Sequence, residues 1–207
     1  MDNDSSRIAN DTSRETNRLA FFVGFLRYPQ QVGSIIPSSR FLEQRILDAA
    51  RLQEARLVVE LGPGTGGTTR TFLRHLSPNA KLLTIELNAE FTDLLDQIDD
   101  ERLINHQGSA ENLATILADH KLGAPDVVIS GIPFSTIPKS VGQDIIKSVR
   151  ASLAPNGRFV AYQFRNEVAN IARPIMGEPD SVLEMRNVPP MRVYRWQKPA
   201  LNGNATA

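Results

Sequence analysis

The chain has 207 residues, and 23 Lys and Arg are balanced by 23 Asp and Glu for a formal net charge of zero. The length suits one domain with a sizeable core, and the charge balance counts against a surface built to grip nucleic-acid phosphates. The absence of cysteine excludes disulfides, thiolate metal sites and a cysteine nucleophile, and His75, His106 and His120 lack ligand spacing, so no metal is expected. Residues 1–17 are polar and mixed in charge and read as a mobile terminus. Between Arg18 and Arg27 the chain turns apolar. As a helix, Leu19, Phe22, Val23 and Leu26 share a face, and Phe21 and Phe25 widen the arc. Two readings stay open for this stretch: an interfacial helix whose aromatics enter lipid while Arg18 and Arg27 meet headgroup phosphates, or a helix packed over the mouth of a site. A secretory leader is not expected, because the preceding charge is balanced and no small-residue cleavage site follows. Pro29 and Pro37 break any helix through the next segment. Ser38 or Ser39 can then cap a helix with apolar positions Phe41, Leu42, Ile46, Leu47, Ala49, Ala50 and Leu52.

From Val58 to Thr69 the chain reads Val-Val-Glu-Leu-Gly-Pro-Gly-Thr-Gly-Gly-Thr-Thr. The β-branched pair and Leu61 suit a buried strand, the glycines turn the chain, and Thr68 and Thr69 are placed to cap a helix through Arg70, Phe72, Leu73 and Leu76. A glycine loop between strand and helix lets a ligand approach the backbone, and the helix start offers unpaired N–H groups. Gly62, Gly64 and Gly67 satisfy the dinucleotide pattern G-x-G-x-x-G. Glu60 with Gly62, Gly64 and Gly66 satisfies E/D-x-G-x-G-x-G and closely resembles the first motif of class I S-adenosylmethionine-dependent methyltransferases. The acid on the strand end favours the second template, as does Pro63, which removes a donor that a pyrophosphate would use.

A more specific resemblance lies upstream. Tyr-Pro-x-x-Val-Gly-Ser-x-x-Pro-Ser-Ser-Arg, from Tyr28 to Arg40, resembles the bacterial soluble-type phospholipid N-methyltransferases, whose core is similar to that of the ribosomal RNA adenine dimethylases. The likeness runs from about Phe21 to Trp196. It implies a substrate or lid role for Tyr28, Ser34, Ser38, Ser39 and Arg40, and cofactor contacts at Glu60, Gly62, Pro63, Gly64, Thr65 and Gly66. Read without that likeness, the upstream loop is a bent polar connector.

Lys81 to Ile85 reads as the second strand, ending in Glu86. An acid about 20 residues past a glycine loop can accept both ribose hydroxyls of an adenosine; the plain alternative is a carboxylate opening the helix that carries Ala89, Phe91, Leu94, Leu95 and Ile98. Leu103 to Gln107 makes a weak third strand, followed by Ser109 and Ala110, where the family contacts adenine. Ser109 can equally cap a helix over 111–121. Asp126 to Ser130 is the fourth strand, and by the same likeness Leu87 and Ser130 border the cofactor. Gly131-Ile132-Pro133-Phe134 follows, the expected catalytic loop together with Tyr28. Gly131 stands where the adenine dimethylases carry asparagine, which removes an acceptor for a planar adenine N–H. Phe134 is placed either to lay its face on an ammonium or sulfonium, worth roughly 0.5–2 kcal/mol, or to pack in the core. A helix over 140–153, a turn at Ala154-Pro155-Asn156-Gly157, a strand from Arg158 to Phe164 and closing strands over 182–188 and 191–196 complete the pattern.

The expected fold is α/β: a Rossmann-like class I methyltransferase with a seven-stranded, mostly parallel sheet, an antiparallel last strand, helices on both faces and an N-terminal helical extension. Its expected parts are a mobile segment 1–17, amphipathic or lid helices over 18–53, a cofactor-binding domain over 54–197 and a mobile tail over 198–207. The resemblance implies S-adenosylmethionine as cofactor, S-adenosylhomocysteine as product and no metal. It implies phosphatidylethanolamine and its partly methylated forms as acceptors, on the way to phosphatidylcholine. The expected place of work is the cytoplasmic face of a bacterial membrane, reached through the N-terminal helix on an anionic surface, with no nucleic-acid or protein partner. A sulfonium methyl is already activated, so the enzyme aligns a nucleophile and excludes water. An ethanolamine ammonium has a lysine-like pKa and must first lose a proton, which desolvation near a cation favours. Tyr28, His106 and Glu167 are conceivable proton acceptors, and spacing selects none of them. A soluble amine or hydroxyl acceptor, an RNA adenine, or a non-catalytic cofactor-binding role are the alternatives.

Overall fold

The computed structural model describes residues 38–200. Arg18, Phe21, Phe22, Phe25, Arg27, Tyr28 and Ser34, with the apolar stretch they belong to, lie outside the described residues. Strands β1 (Leu57–Leu61), β2 (Lys81–Glu86), β3 (Leu103–Gln107), β4 (Val127–Ser130), β5 (Arg158–Gln163), β6 (Asp180–Glu184) and β7 (Met191–Gln197) form one sheet in the order β3-β2-β1-β4-β5-β7-β6. The first five run parallel. β7 runs antiparallel between β5 and β6, so the last of the described strands is inserted rather than added at the edge. Helices α1 (Arg40–Ala50), α2 (Gly67–His75), α3 (Ala89–Leu95), α4 (Leu113–Asp119), α5 (Lys139–Ser152) and α6 (Glu167–Met176) connect or cover the strands.

Strands buried on both faces need apolar side chains pointing both ways, and the central strands have them. On one face, Leu42, Ile46 and Leu47 of α1 and Phe72 and Leu73 of α2 pack on Val58, Leu82, Val127, Ile129, Val160 and Val193. α1 therefore belongs to the core of the sheet. It is capped as expected by Ser39, whose hydroxyl accepts the Leu42 N–H at 3.3 Å. Val59, Leu83, Val128 and Phe159 on the opposite face are fully buried, and α4, α5 and α6 pack against one another there. Trp196 of β7 stacks on Phe159 at 5.3 Å and donates its indole N–H to the Gly177 carbonyl at 3.0 Å.

Several local expectations are corrected. Thr68 and Thr69 do not cap α2; Gly66 does so in a left-handed conformation, and both threonines lie inside the helix. The helix expected over 111–121 begins as a 3-10 turn, Ala110–Asn112, before α4. The closing hairpin is shorter on its first arm than the expected 182–188, because Glu184 ends β6 and residues 185–190 form the tip. α6 had no sequence signal in the reading above: its apolar positions Val168, Ala169, Ile171 and Ala172 make one buried turn-to-turn face that small alanines disguise. Lys198, assigned to a mobile tail, donates its ammonium to the Leu153 carbonyl at 2.6 Å.

Candidate active site

Because β1, β2, β4 and β5 are parallel, their carboxyl ends share one edge, where an open α/β sheet takes its ligands. Alternation from Val58, Leu82 and Val160 places Glu60, Glu86 and Tyr162 on one face at that edge, beneath the start of α2. The glycine loop turns over them through Gly62, Gly64 and Gly66, with φ of +69°, +57° and +80°. A Cβ at Gly64 would meet no described atom within 4 Å, so its backbone faces open space in which a ligand can approach.

Glu60 is 1% exposed. Its two oxygens accept the Thr68 and Thr69 hydroxyls at 2.5 and 2.7 Å, which ties the first turn of α2 to the end of β1. Burial pushes its carboxyl up to about 7, against the pull of those two hydrogen bonds, and the charge on Glu86 adds to the rise. Glu86 is also buried, and burial raises it. One of its oxygens accepts the Gly64 N–H at 3.0 Å and the other the Asn88 N–H at 2.9 Å. Each oxygen retains lone-pair capacity for a hydroxyl.

The Gly108 N–H donates to the Glu86 carbonyl at 2.9 Å, which brings Ser109 and Ala110 alongside β2. Ser109 acts as a cap, accepting the Glu111 N–H at 3.3 Å, and Ala110 is buried beside it. Leu87 is half-buried and Thr65 is exposed on the same rim, while Pro63 is buried.

The loop after β4 is the most tightly defined part of the edge. Gly131 donates its N–H to the Leu61 carbonyl at 2.9 Å. A Cβ there would fall 2.6 Å from the Tyr162 hydroxyl and 3.0 Å from the Gly62 carbonyl oxygen. The tyrosine thus occupies the space where an asparagine side chain would begin. Buried Ser130 accepts the Ile132 N–H at 3.3 Å. Gln163 closes the loop from β5, its amide nitrogen donating to the Ile132 carbonyl and its oxygen accepting the Phe134 N–H at 3.3 Å. Of its two expected places Phe134 takes the core: it is 2% exposed and turned toward Gly142 of α5, where a Cβ would stand 3.3 Å from its ring. Pro133 is half-buried, and its carbonyl accepts from Thr136.

Other singled-out residues fall elsewhere. His106 pairs in register with Ile85, so its ring lies on the opposite face from Glu86, 3.1 Å from the His120 ring nitrogen. Glu167 opens α6 with one carboxylate oxygen buried and without a hydrogen-bond partner among the described residues. Ser38 and Ser39 lead into α1, and Arg40 lies over the Phe41 ring at 4.8 Å. Tyr162 and Gln163 were missed by sequence reasoning. No local signal marks them, because Tyr162 comes beside Gly131 only through the register of β4 and β5, which sets Ser130 opposite Ala161.

The donor set discriminates between the two glycine templates. A pyrophosphate would approach two buried carboxylates, lack a donor at Pro63 and find the Gly64 N–H already committed to Glu86. A cationic adenosyl cofactor would instead relieve the mutual repulsion of Glu60 and Glu86.

No protein-family model matches the chain. It is 29% identical over 187 residues to an ornithine lipid N-methyltransferase of Singulisphaera acidiphila, covering 84% of this chain and 92% of that protein. Among solved structures, TrmN from Thermus thermophilus superposes with a TM-score of 0.62 at 17% identity, over 84% of this chain and 52% of that one. An O-methyltransferase from Bacillus cereus, in complex with S-adenosylhomocysteine, gives 0.62 at 12% identity, over 88% and 91%. The chain has the class I methyltransferase fold. In that fold the glycine loop, Glu86 and the loop after β4 stand at the carboxyl edge of the sheet.

Proposed function

We propose that this protein transfers the methyl group of S-adenosylmethionine to a primary amine on a membrane lipid headgroup. The observation that carries methyl transfer is the pair of buried carboxylates, Glu60 and Glu86, set around an open glycine loop. Gly62, Pro63, Gly64, Thr65 and Gly66 would line the cofactor, Glu86 and Leu87 would hold its ribose, and Ser109 and Ala110 would border its adenine. Bound there, the cofactor supplies an activated sulfonium methyl. Glu60 supplies the counter-charge, while Ser130 and Gln163 hold the acceptor loop Gly131–Phe134 in shape.

The acceptor reading rests on two supports. The relative that spans nearly its whole length along this chain is named for N-methylation of ornithine lipid. The place of an amide side chain at position 131 is taken by the Tyr162 hydroxyl, so the amide acceptor that the adenine dimethylases carry has no counterpart at that position. Burial and the charge of Glu60 raise the Tyr162 hydroxyl, so it stays a neutral, two-way hydrogen-bonding group at neutral pH. Ornithine lipid is the first acceptor to assay. Phosphatidylethanolamine is the second, favoured by the Tyr28-to-Arg40 segment. Both present an amine at a lipid surface, so the reaction is proposed to occur on the cytoplasmic face of the membrane. Among the described residues no helix is long and apolar enough to cross a bilayer.

The test uses purified full chain, labelled S-adenosylmethionine, and vesicles containing either lipid, with free ornithine, ethanolamine and RNA as separate arms. Label is expected in a lipid product. Label confined to water-soluble products or to RNA would sink the lipid reading.

A further inference from the structure

The tip of the β6–β7 hairpin, residues 185–190, has its polarity inverted. Val188 is 78% exposed and Met185 65%, while Asn187 between them is 5% exposed. The polar side chain is turned inward because it has work there: its carbonyl oxygen accepts the Ser39 N–H at 2.9 Å, and its amide donates to the Pro189 carbonyl at 2.8 Å. Glu184, just ahead of the tip, accepts from the Arg186 backbone and guanidinium and from Arg45 of α1. Those bonds fasten the tip to the start of α1 and hold Met185 and Val188 outward. An apolar pair displayed by a fixed frame is a built feature rather than the scattered exposure usual for single residues.

Two further observations identify the face this pair meets. First, the tip projects from the carboxyl edge: Arg192 is opposite Gln163 and Glu184 is opposite Met191, so the hairpin ends where β5 ends. Phe164, 61% exposed, follows β5 on that same edge. Second, the charge leans basic. Over 164–167 and 184–192 the chain carries Arg165, Arg186 and Arg192 against Glu167 and Glu184, and Glu184 is buried and paired with Arg186.

We propose that the hairpin tip around Met185 and Val188, with Phe164 beside it, is a docking surface for an anionic lipid bilayer. The inference rests on the lipid-acceptor reading and extends it: docking by this edge sets the mouth of the glycine-loop crevice at the headgroup layer. Apolar side chains enter the acyl boundary and arginines meet phosphates, as amphipathic interfacial segments do. An amine headgroup then reaches Gly131 with its acyl chains still in the bilayer.

The test measures cosedimentation of the full chain with vesicles of equal parts phosphatidylcholine and phosphatidylglycerol, and methyl transfer to vesicle-embedded acceptor. Met185→Asp/Val188→Asp is expected to weaken vesicle binding at least tenfold and to depress transfer to the embedded lipid similarly. Its melting temperature, its affinity for S-adenosylhomocysteine and its turnover on a short-chain, water-dispersed acceptor should stay near wild type. Met185→Ser/Val188→Ser, which adds no charge, should lose affinity in the same direction by a smaller factor. Vesicle binding of both variants within twofold of wild type overturns the proposal, as does a wild-type chain that binds no vesicles. A change in oligomeric state without a change in vesicle binding also overturns it and assigns the tip to self-association. Wild-type binding that the variants lose, with no lipid ever methylated, upholds the docking surface and fails the proposed reaction instead.

Discussion

Glu60 shows how burial converts a motif residue into a pH-dependent one. Its ordinary value of 4.5 rises to about 7 in the folded chain. The native state therefore binds an extra proton between those two values, and this contribution to stability falls as pH rises from about 4.5 to 7, then levels off. The fall amounts to about 3 kcal/mol at most. Glu60→Gln should flatten it, read as melting temperature between pH 4.5 and 8. A cationic cofactor favours the ionised carboxylate, so affinity for S-adenosylmethionine should tighten as pH rises through 7 in wild type and not in Glu60→Gln. A second residue-scale expectation concerns Gly131. Gly131→Ala places a Cβ 2.6 Å from the Tyr162 hydroxyl and should cost about 1–3 kcal/mol by overpacking. Removing the hydroxyl with Tyr162→Phe should recover part of that loss, and a double-mutant cycle in denaturant should give a coupling of about 1 kcal/mol. Additive losses would show that the tyrosine does not fill the position.

At the scale of elements, the hairpin and α1 act as one piece. Asn187 is the joint, because it satisfies the N–H of Ser39, the cap of α1. Asn187→Ala leaves that donor unpaired and should cost about 1–3 kcal/mol, with faster hydrogen exchange at Ser39 and at the β6–β7 ladder. Unchanged exchange at both would show that the hairpin is held by other contacts. Phe41 completes the joint, lying under Arg186 at 4.0 Å and Arg40 at 4.8 Å. The expected division groups this helix with the amphipathic or lid helices over 18–53. Its buried face, Leu42, Ile46, Leu47 and Ala50, packs in the core against β7 and β5. The pattern of apolar residues says that a helix buries one face, and it does not say which surface receives it.

For the whole molecule, cofactor linkage gives the plainest check on the adenosyl reading. S-adenosylhomocysteine at 100 times its dissociation constant should stabilise the fold by about 2.7 kcal/mol and raise the melting temperature by several degrees. The same concentration of a nicotinamide dinucleotide should leave it unmoved. An upward shift with the dinucleotide alone would remove the methyltransferase reading together with everything built on it.

Local chemistry was enough to read most of the alternation of strands and helices, the glycine turn at 62–66 and the acid ending β2. Each of these is dictated by residues a few positions apart: β-branched runs, absent Cβ atoms, a carboxylate about 20 residues past a turn. Tertiary structure alone decided what those residues touch. Thr68 and Thr69 turned out to serve Glu60 rather than the helix start, Phe134 went into the core, and the Tyr162 hydroxyl took the space beside Gly131. Such outcomes depend on the register of β4 against β5 and on where β7 inserts. Register is a cooperative property of strands separated by many residues of chain, settled by packing both faces at once, and no short window of sequence contains it.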